Sequence, residues 1–487
     1  MRRVFVFAFC AAAGALLACG SSLSGGTHDG GSKDASSERL LVEASEPDGG
    51  PDATMPSDAK PTEGGPSDAR PPADVIMVPD AGPCLTETPD TTSGLFVVTG
   101  GSMSTSCGSL GTPCGSVGLA LQVAGMGSTI TTIYVGPGPF SESTLVLVDG
   151  IAIVGGWDVS TSPWTHNCKA PEIDGPSPVV SASGLASATL DTLDIVENVA
   201  AVGSSGSNYG IMANNTTTLT LSNVVVSVQA GGAGADGMPG TTGGTNGTGT
   251  CAPGGTGKAG GTGSVGGPSG AGIFKPAGYT AVANGTPNGG TGVTGSNGTQ
   301  GAYGELEIGT SDCMQSGTVC TGTAVDFEGG TGVGGCPGTG GSGGGPAYGG
   351  GCSIAVYVFG GNVTMTGGLL QTSAGGKGGN GGLGAEGGTG SPGAAGNNVT
   401  YLASCGAYIS GHCELTNKVA TGGAAGSNGG NGGVGGQGGG GAGGCSYAYY
   451  ADPLTATVTM TGTVLANGKG GPGGVPGGAT GPAANHN

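Results

Sequence analysis

The chain is poor in positive charge, and poor in charge of any sign. Only 12 of its 487 residues are lysine or arginine, and no arginine follows Arg70. At a net charge of −19 it has no basic patch to neutralise phosphates, so nucleic acid is excluded as a partner. Charged residues amount to 9%, too few for the usual surface of a cytosolic protein. Collagen is excluded as well: Gly reaches 117 residues, but Pro stays at 29 and no strict Gly-X-Y register runs through the chain. Helical spacing is almost missing, since only Ser116 to Ala124 carries it.

What is present begins with an export signal. Met1-Arg2-Arg3 precedes an apolar run from Val4 to Leu17 that is too short for a comfortable membrane span. It ends Leu16-Leu17-Ala18-Cys19-Gly20, which resembles the lipobox of bacterial lipoproteins. The resemblance implies a signal peptide over 1–18, lipidation of Cys19 and, because Gly20 rather than Asp follows, an outer-membrane address. A single acyl chain anchors weakly, and this modification supplies several on one cysteine.

Cysteine usage agrees with an oxidising compartment. Setting aside Cys10 and Cys19, twelve of the 14 cysteines remain, an even set suited to disulfides. Local pairing would join Cys107 with Cys114, Cys313 with Cys320, Cys336 with Cys352, and Cys405 with Cys413. Closing the first loop is worth about 2.5 kcal/mol on the chain-entropy model. Zinc is disfavoured, because the spacings are wider than zinc pairs use and only four histidines exist.

The segment 19–83 is rich in Asp, Ser, Pro and Gly, and reads as a disordered acidic tether. From 84 to 229 short β-branched runs alternate with turns: Leu95 to Val98, Ile130 to Val135, Leu145 to Val148, Ile151 to Val154, Ala188 to Ile195, Thr217 to Leu221 and Val224 to Val226. A glycine-rich insertion occupies 230–350, and repeats fill 351–487. Gly351-Cys352-Ser353-Ile354-Ala355-Val356-Tyr357 and Gly444-Cys445-Ser446-Tyr447-Ala448-Tyr449-Tyr450 each lead to Val-Thr-Met-Thr-Gly and then a glycine tract, with weaker copies at Tyr209 and Ser404. One such unit cannot bury its own apolar face, so stacking into an all-β parallel solenoid is expected. Stacked strands lie ~4.8 Å apart, close enough for cysteines such as Cys352, Cys405 and Cys445 to bridge neighbouring coils instead of pairing locally.

The stretch from Gly94 to Trp164 resembles the opening coils of right-handed parallel β-helix domains in pectate-lyase-like bacterial surface proteins. The elements that carry the likeness are Phe96-Val97-Val98, Cys107 to Cys114, Ile133-Tyr134-Val135-Gly136-Pro137-Gly138, Glu142 and Ile151 to Trp157. It is similar in particular to glycine-rich β-helix lipoproteins. The end, Gly481 to Asn487, lacks amphipathic strands closing on an aromatic residue, so no membrane barrel is expected.

Glycine tracts over 230–300, 328–351, 374–396 and 421–444 leave two outcomes open. Ordering one residue costs about 1–2 kcal/mol, most for glycine. The tracts either stay mobile or pack as hydrogen-bonded polyproline-II strands that build a rigid face.

Catalytic constellations are thin. Lyases of the resembled fold use Arg or Lys beside calcium-binding acids, and the later lysines lie mainly in loop-like stretches. Asp191, Asp194 and Glu197 form the densest acidic cluster and read as solvated loop acids, while His166 and His412 read as residues of surface turns. Gly231 to Pro239, with Asp236, matches the calcium nonapeptide once, near chance in so much glycine. No cofactor and no metal are expected. The sequence therefore points to a lipid-anchored structural or adhesive protein of the cell surface, without catalysis, whose candidate partners are the membrane, surface glycans and neighbouring envelope proteins. The alternative is a carbohydrate-binding or carbohydrate-active β-helix in which Tyr447, Tyr449, Tyr450 or Trp157 stacks on sugars.

Overall fold

The computed structural model describes residues 87–127, 129–199, 205–244, 251, 258–268, 270–282, 288–316, 319–410 and 412–487. The signal, Cys19 and the tether lie outside the described residues. The chain is all-β, with two long parallel sheets and a single α-helix among the described residues. The longer sheet has eleven strands, among them Gly94–Ser102, Thr132–Val135, Ala152–Val154, Ser187–Asp191, Asn208–Ser222, Ser353–Thr366 and Ser446–Ala451. The second has six, running from Phe140–Ser141 through Glu172–Pro176, Asp194–Val199, Val225–Val228 and Leu369–Thr372 to Val464–Ala466.

The chain alternates between the two sheets, and at successive copies of one corner a positive-φ residue makes the turn. Between Ser187–Asp191 and Asp194–Val199 the turn residue is Thr192 (φ 51°), and in the next copy it is Asn223 (φ 52°). Gly367 (φ 63°) and Gly462 (φ 69°) hold the corresponding places further on. These corners stack, because Thr192 N–H donates to Ser222 O, Asn223 N–H to Thr366 O and Gly367 N–H to Thr461 O. Asn and Gly enter this region cheaply, whereas the β-branched Thr192 is strained there. The expected single strand over Ala188 to Ile195 is therefore two strands in different sheets.

Register builds the core. Ile133, Ile153, Leu190, Leu221, Met365 and Met460 form one continuous ladder, each paired with the next. Phe140, Ile173, Ile195, Val226, Leu370 and Leu465 form its counterpart on the second sheet. All but Met460 and Leu465 are buried. At the opposite end the helix Val117–Met126 presses Val117, Ala120, Leu121 and Ala124 into the same core. Its first turn is capped twice: Ser116 Oγ accepts the Leu119 N–H, and Glu142 accepts the N–H groups of Val117 (2.6 Å) and Gly118 (3.2 Å). The copy at Tyr209 is in register with Ile354 and Tyr447, as the repeats suggest. The copy at Ser404 belongs to an antiparallel hairpin instead, and its counterpart in the preceding repeat is Leu306–Ser316, not a rung of the sheet.

Among the described residues the glycine tracts pack against one another. Along 374–396 every third backbone N–H reaches the tract 328–351: Gly376 to Gly351, Gly379 to Tyr348, Gly382 to Gly345, Ala385 to Ser342 and Gly388 to Thr339, at 2.8–3.0 Å. A second phase, Gly375, Gly378 and Gly381, donates to Lys469, Pro472 and Val475. The carbonyls of the third phase, Lys377, Asn380, Leu383 and Glu386, accept from Gly234, Gly237, Gly240 and Gly243. This three-residue period is that of a polyproline-II helix. Side chains of the third phase, Lys377, Leu383, Glu386 and Thr389, point to solvent. Gly438 to Gly441 lies inside the array, where no phase is free. A Cβ on Gly438, Gly439, Gly440 or Gly441 would sit 1.9, 1.7, 2.2 and 1.9 Å from the carbonyl oxygens of Gly345, Gly267, Gly474 and Tyr348.

Disulfides cross-link this arrangement. Cys107–Cys114 is local, as expected. The other local pairings are replaced by Cys251–Cys336, Cys313–Cys405, Cys320–Cys413 and Cys352–Cys445, at sequence separations of 85, 92, 93 and 93. The reason is register: successive repeats lie side by side, so equivalent cysteines from neighbouring copies meet while cysteines of one copy are held apart. Closing a loop of this length is worth about 4–5 kcal/mol for the first such bridge.

Leu190→Ala should cost about 2–5 kcal/mol in urea unfolding, because the ladder leaves its cavity little room to collapse. In the array, Gly441→Ala should lower thermal stability sharply or prevent folding, since two backbones would have to separate. Lys377→Ala on an exposed phase should change stability by less than about 0.5 kcal/mol. Equal tolerance of both substitutions would contradict the packed array.

Candidate functional site

The acidic cluster read from the sequence does not converge. Thr192 sends the chain from one sheet to the other, so Asp191 ends a strand of the first and Asp194 opens one of the second. Asp191 accepts the Thr192 hydroxyl at 2.9 Å. Glu197 is not a solvated loop acid: it is 1% exposed on a strand and accepts the Gln229 backbone N–H at 3.0 Å. His166 is bound through Nε2 to Gly155 O at 3.0 Å, and its ring lies against Trp157. His412 begins a strand. An open cleft of ≈ 590 Å³ lies beside the helix, but the Glu142 carboxylate in it is already spent on the helix N-terminus.

The aromatic residues proposed for sugar stacking are packed away. Trp157, Tyr450 and Tyr447 are 2%, 6% and 8% exposed, and Tyr449 is half-buried with its ring stacked on His486. A small hairpin, Ile273–Lys275 with Gly278–Thr280, covers the tyrosine row. Its Phe274 stacks on Tyr450 with centroids 3.9 Å apart, and Tyr357 donates its hydroxyl to Lys275 O. Burial first, then neighbouring Tyr209, pushes the Tyr357 phenol well above its usual range. The row is a sealed joint between insertion and sheet.

The nonapeptide match has a structural role. Gly231, Gly234 and Gly237 donate to the adjoining tract, and Asp236 Oδ1 accepts the Asn380 N–H at 2.6 Å. Among the described residues no cluster of three or more potential metal ligands occurs.

What the architecture does present lies at the far end of the tracts. The tracts 328–351, 374–396 and 421–444 meet the parallel sheets near Gly351, Gly376 and Gly444. At the ~3.1 Å rise of polyproline II, the tract 374–396 is roughly 70 Å long. At its other end Gly330 N–H donates to Asn397 O, Gly396 N–H to Gly423 O and Gly423 N–H to Gly330 O. Two antiparallel hairpins stand there: Leu306–Ser316 with Val319–Glu328, and Val399–Ile409 with His412–Ala420. They are joined by Cys313–Cys405 and Cys320–Cys413.

Their facing surfaces are filled by rings. Tyr401 is 4% exposed, stacks on Phe327 at 5.3 Å and donates its hydroxyl to Glu307 at 3.1 Å. A side chain at Gly309 would strike the Tyr401 ring at 2.4 Å, which is why glycine stands there. Burial, then the Glu307 carboxylate, raises the Tyr401 phenol. Glu305 ties the hairpins to the array by accepting the Thr421 hydroxyl at 2.9 Å, and that bond lowers its carboxyl. Leu306, Ile308, Met314 and Val319 of the first hairpin are 57–69% exposed, Leu306 and Ile308 on the side away from Phe327.

The sequence names the four cysteines found here as disulfide candidates, but in the local pairs Cys313–Cys320 and Cys405–Cys413, and does not reveal the site. The signal that could have found it is the recurrence of the Cys313, Cys320, Cys352 spacing 92–93 residues later as Cys405, Cys413, Cys445. A double variant Cys320→Ser, Cys413→Ser should raise amide exchange in both tip hairpins at least tenfold while leaving the parallel sheets protected. Hydrogen-exchange mass spectrometry of the oxidised protein measures this, and loss of protection in the sheets would show that the tip is not a separable unit.

No family model matches this chain, and neither a curated protein nor a solved structure matches it.

Proposed function

We propose that the protein is a lipid-anchored structural and adhesive element of the cell surface, exported by the signal over 1–18 and held through Cys19 in the outer membrane. In this reading the two parallel sheets are faces of a right-handed parallel β-helix. The glycine array is an outrigger on that rod, carrying the paired hairpins away from it for contact with glycans or envelope proteins. One observation carries the proposal. Polyproline-II tracts roughly 70 Å long, with hydrogen bonds at every third residue, run from the sheets to a tip closed by two disulfides. Such an array spends a large ordering entropy on residues with no side chains to bury. The return on that cost is rigid reach, which a contact protein uses and a small-molecule catalyst does not need.

The alternation between sheets supports the β-helix, since Ser187–Asp191, Asn208–Ser222 and Ser353–Thr366 are each followed at once by a strand of the second sheet. The disulfides support the oxidising compartment, where such bonds persist. The helix Val117–Met126, buried on one face against the core, supports a closed end to the rod.

Protease treatment of intact cells, with an antibody to the tip as readout, tests the surface assignment. Release of the tip epitope from intact cells is the expected result, and Cys19→Ser should move the chain to the soluble fraction. Protection in intact cells combined with cleavage after lysis would place the protein inside the envelope and overturn the proposal.

A further inference from the structure

We propose that the last turn of the parallel sheets is a self-docking surface, through which two copies of this chain join end to end about a twofold axis. The inference goes beyond the surface assignment and does not rest on it.

Three ladders of strands end on this turn. Ser353–Thr366 bends at Gly360 (φ 81°) and Gly361 (φ 93°), and its two halves carry different partners. Ser353 to Val358 pairs with Ser446–Ala451, which in turn pairs with Ala483–His486. Gly361 to Thr366 pairs with Ala456–Thr461, and Leu369–Thr372 pairs with Val464–Ala466. Ala456–Thr461, Val464–Ala466 and Ala483–His486 are therefore the final strands, and among the described residues no further strand joins them. Val363, Met365 and Leu370 are each 1% exposed, whereas their equivalents on the last turn, Val458, Met460 and Leu465, are only half-buried. The other end of the same core is covered by the helix Val117–Met126.

Backbone alternation shows which groups face outward. The carbonyls of Thr455 and Thr461 accept from Gly361 and Gly367, so the N–H and C=O groups of Val458 and Met460 point away from that ladder. Pro482 O accepts the Ser446 N–H, which turns Ala483 and Asn485 outward in the same way. Val464 N–H donates to Gly368 O, and Leu465 is left facing out. Open edges of this kind are usually guarded by charge or proline. From Ala456 to Ala466 the sequence holds neither.

The shape of the end selects the occupant. The chain visits the three ladders in order, so the final strands climb as a ramp, by one strand spacing (~4.8 Å) per turn. Ala456–Thr461 is the lowest step and Ala483–His486 the highest. Two such ramps, facing each other about a twofold axis through Val464–Ala466, match at every step. The high strand of each copy runs antiparallel along the low strand of the other, and Val464–Ala466 meets itself. Ala483 and Asn485 have the same two-residue spacing as Val458 and Met460, as successive hydrogen-bonded pairs of an antiparallel ladder require. A single foreign strand would satisfy one edge and leave two open. An isologous contact closes on a dimer and does not grow into a fibre.

The test is sedimentation equilibrium of the full chain, oxidised and solubilised in density-matched detergent. A dimer is expected, and it should tighten at high salt, because each chain carries a charge of −19 and Ala456 to Ala466 offers no ion pair. Asn485→Pro removes an outward N–H at an exposed position and leaves the pairing with Ser446–Ala451 in place. It should weaken the dimer at least tenfold, whereas Asn485→Ala should leave it unchanged. Hydrogen exchange should find the Val458, Met460 and Leu465 amides protected in the dimer and at least tenfold faster in Asn485→Pro. A chain that stays monomeric, an open-ended polymer, or a dimer indifferent to Asn485→Pro would overturn the inference. So would protection of these amides in a monomer, since another segment of the same chain would then cover the edge. Release of the tip epitope in the protease experiment depends on none of these outcomes, so the two readings fail separately.

Discussion

The structure depends on how closely two bare backbones can approach. At Gly439 an added Cβ would stand 1.7 Å from a neighbouring carbonyl oxygen, and at Gly340 likewise 1.7 Å from Gly292 O. That proximity lets every third N–H find an acceptor in the next tract at about hydrogen-bonding optimum. Each bond contributes only about 0.5–1.5 kcal/mol net, comparable to the cost of ordering the residue that makes it. An isolated tract would therefore not hold its shape. The array holds because one tract satisfies several neighbours at once, and because its ends are fixed by other means.

Those ends explain the placement of the cysteines and of the rungs. At the base, Cys352–Cys445 is buried and joins tracts where they enter the strands beginning Ser353 and Ser446. At the tip, Cys313–Cys405 and Cys320–Cys413 join the hairpins. Between them Cys251–Cys336 ties the tract 230–300 to the tract 328–351. The parallel ladders supply the hydrophobic burial that glycine cannot, with Leu190, Leu221 and Met365 stacked on one sheet and Ile195, Val226 and Leu370 on the other. The protein thus divides its labour: aliphatic rungs give stability, cystines give boundary conditions, and glycine gives reach.

This division bears on function through rigidity. A flexible glycine linker of similar length would hold a tip at a fluctuating distance, with an end-to-end length growing only as the square root of residue number. Hydrogen-bonded polyproline II grows linearly instead. In the proposed reading, a tip held at fixed distance and orientation keeps the paired hairpins preorganised for contact.

Much of the fold was legible in the residues themselves. The β-branched runs, the helix after Ser116 and the recurrence of Val-Thr-Met-Thr fixed strand identity, because side-chain alternation and capping act over a few residues. The even cysteine set indicated disulfides for the same local reason of composition. Three matters waited for the tertiary structure. The order of the glycine tracts was one, since a polyproline-II helix has no internal hydrogen bonds and its stability exists only between chains brought together from far apart in sequence. The cystine pairing was another, because Cys313 meets Cys405 only after two repeats align side by side. The tip was the third: Leu306 and Ile308 look like core residues in the sequence, and only the packing of Tyr401 and Phe327 on the opposite side leaves them facing solvent.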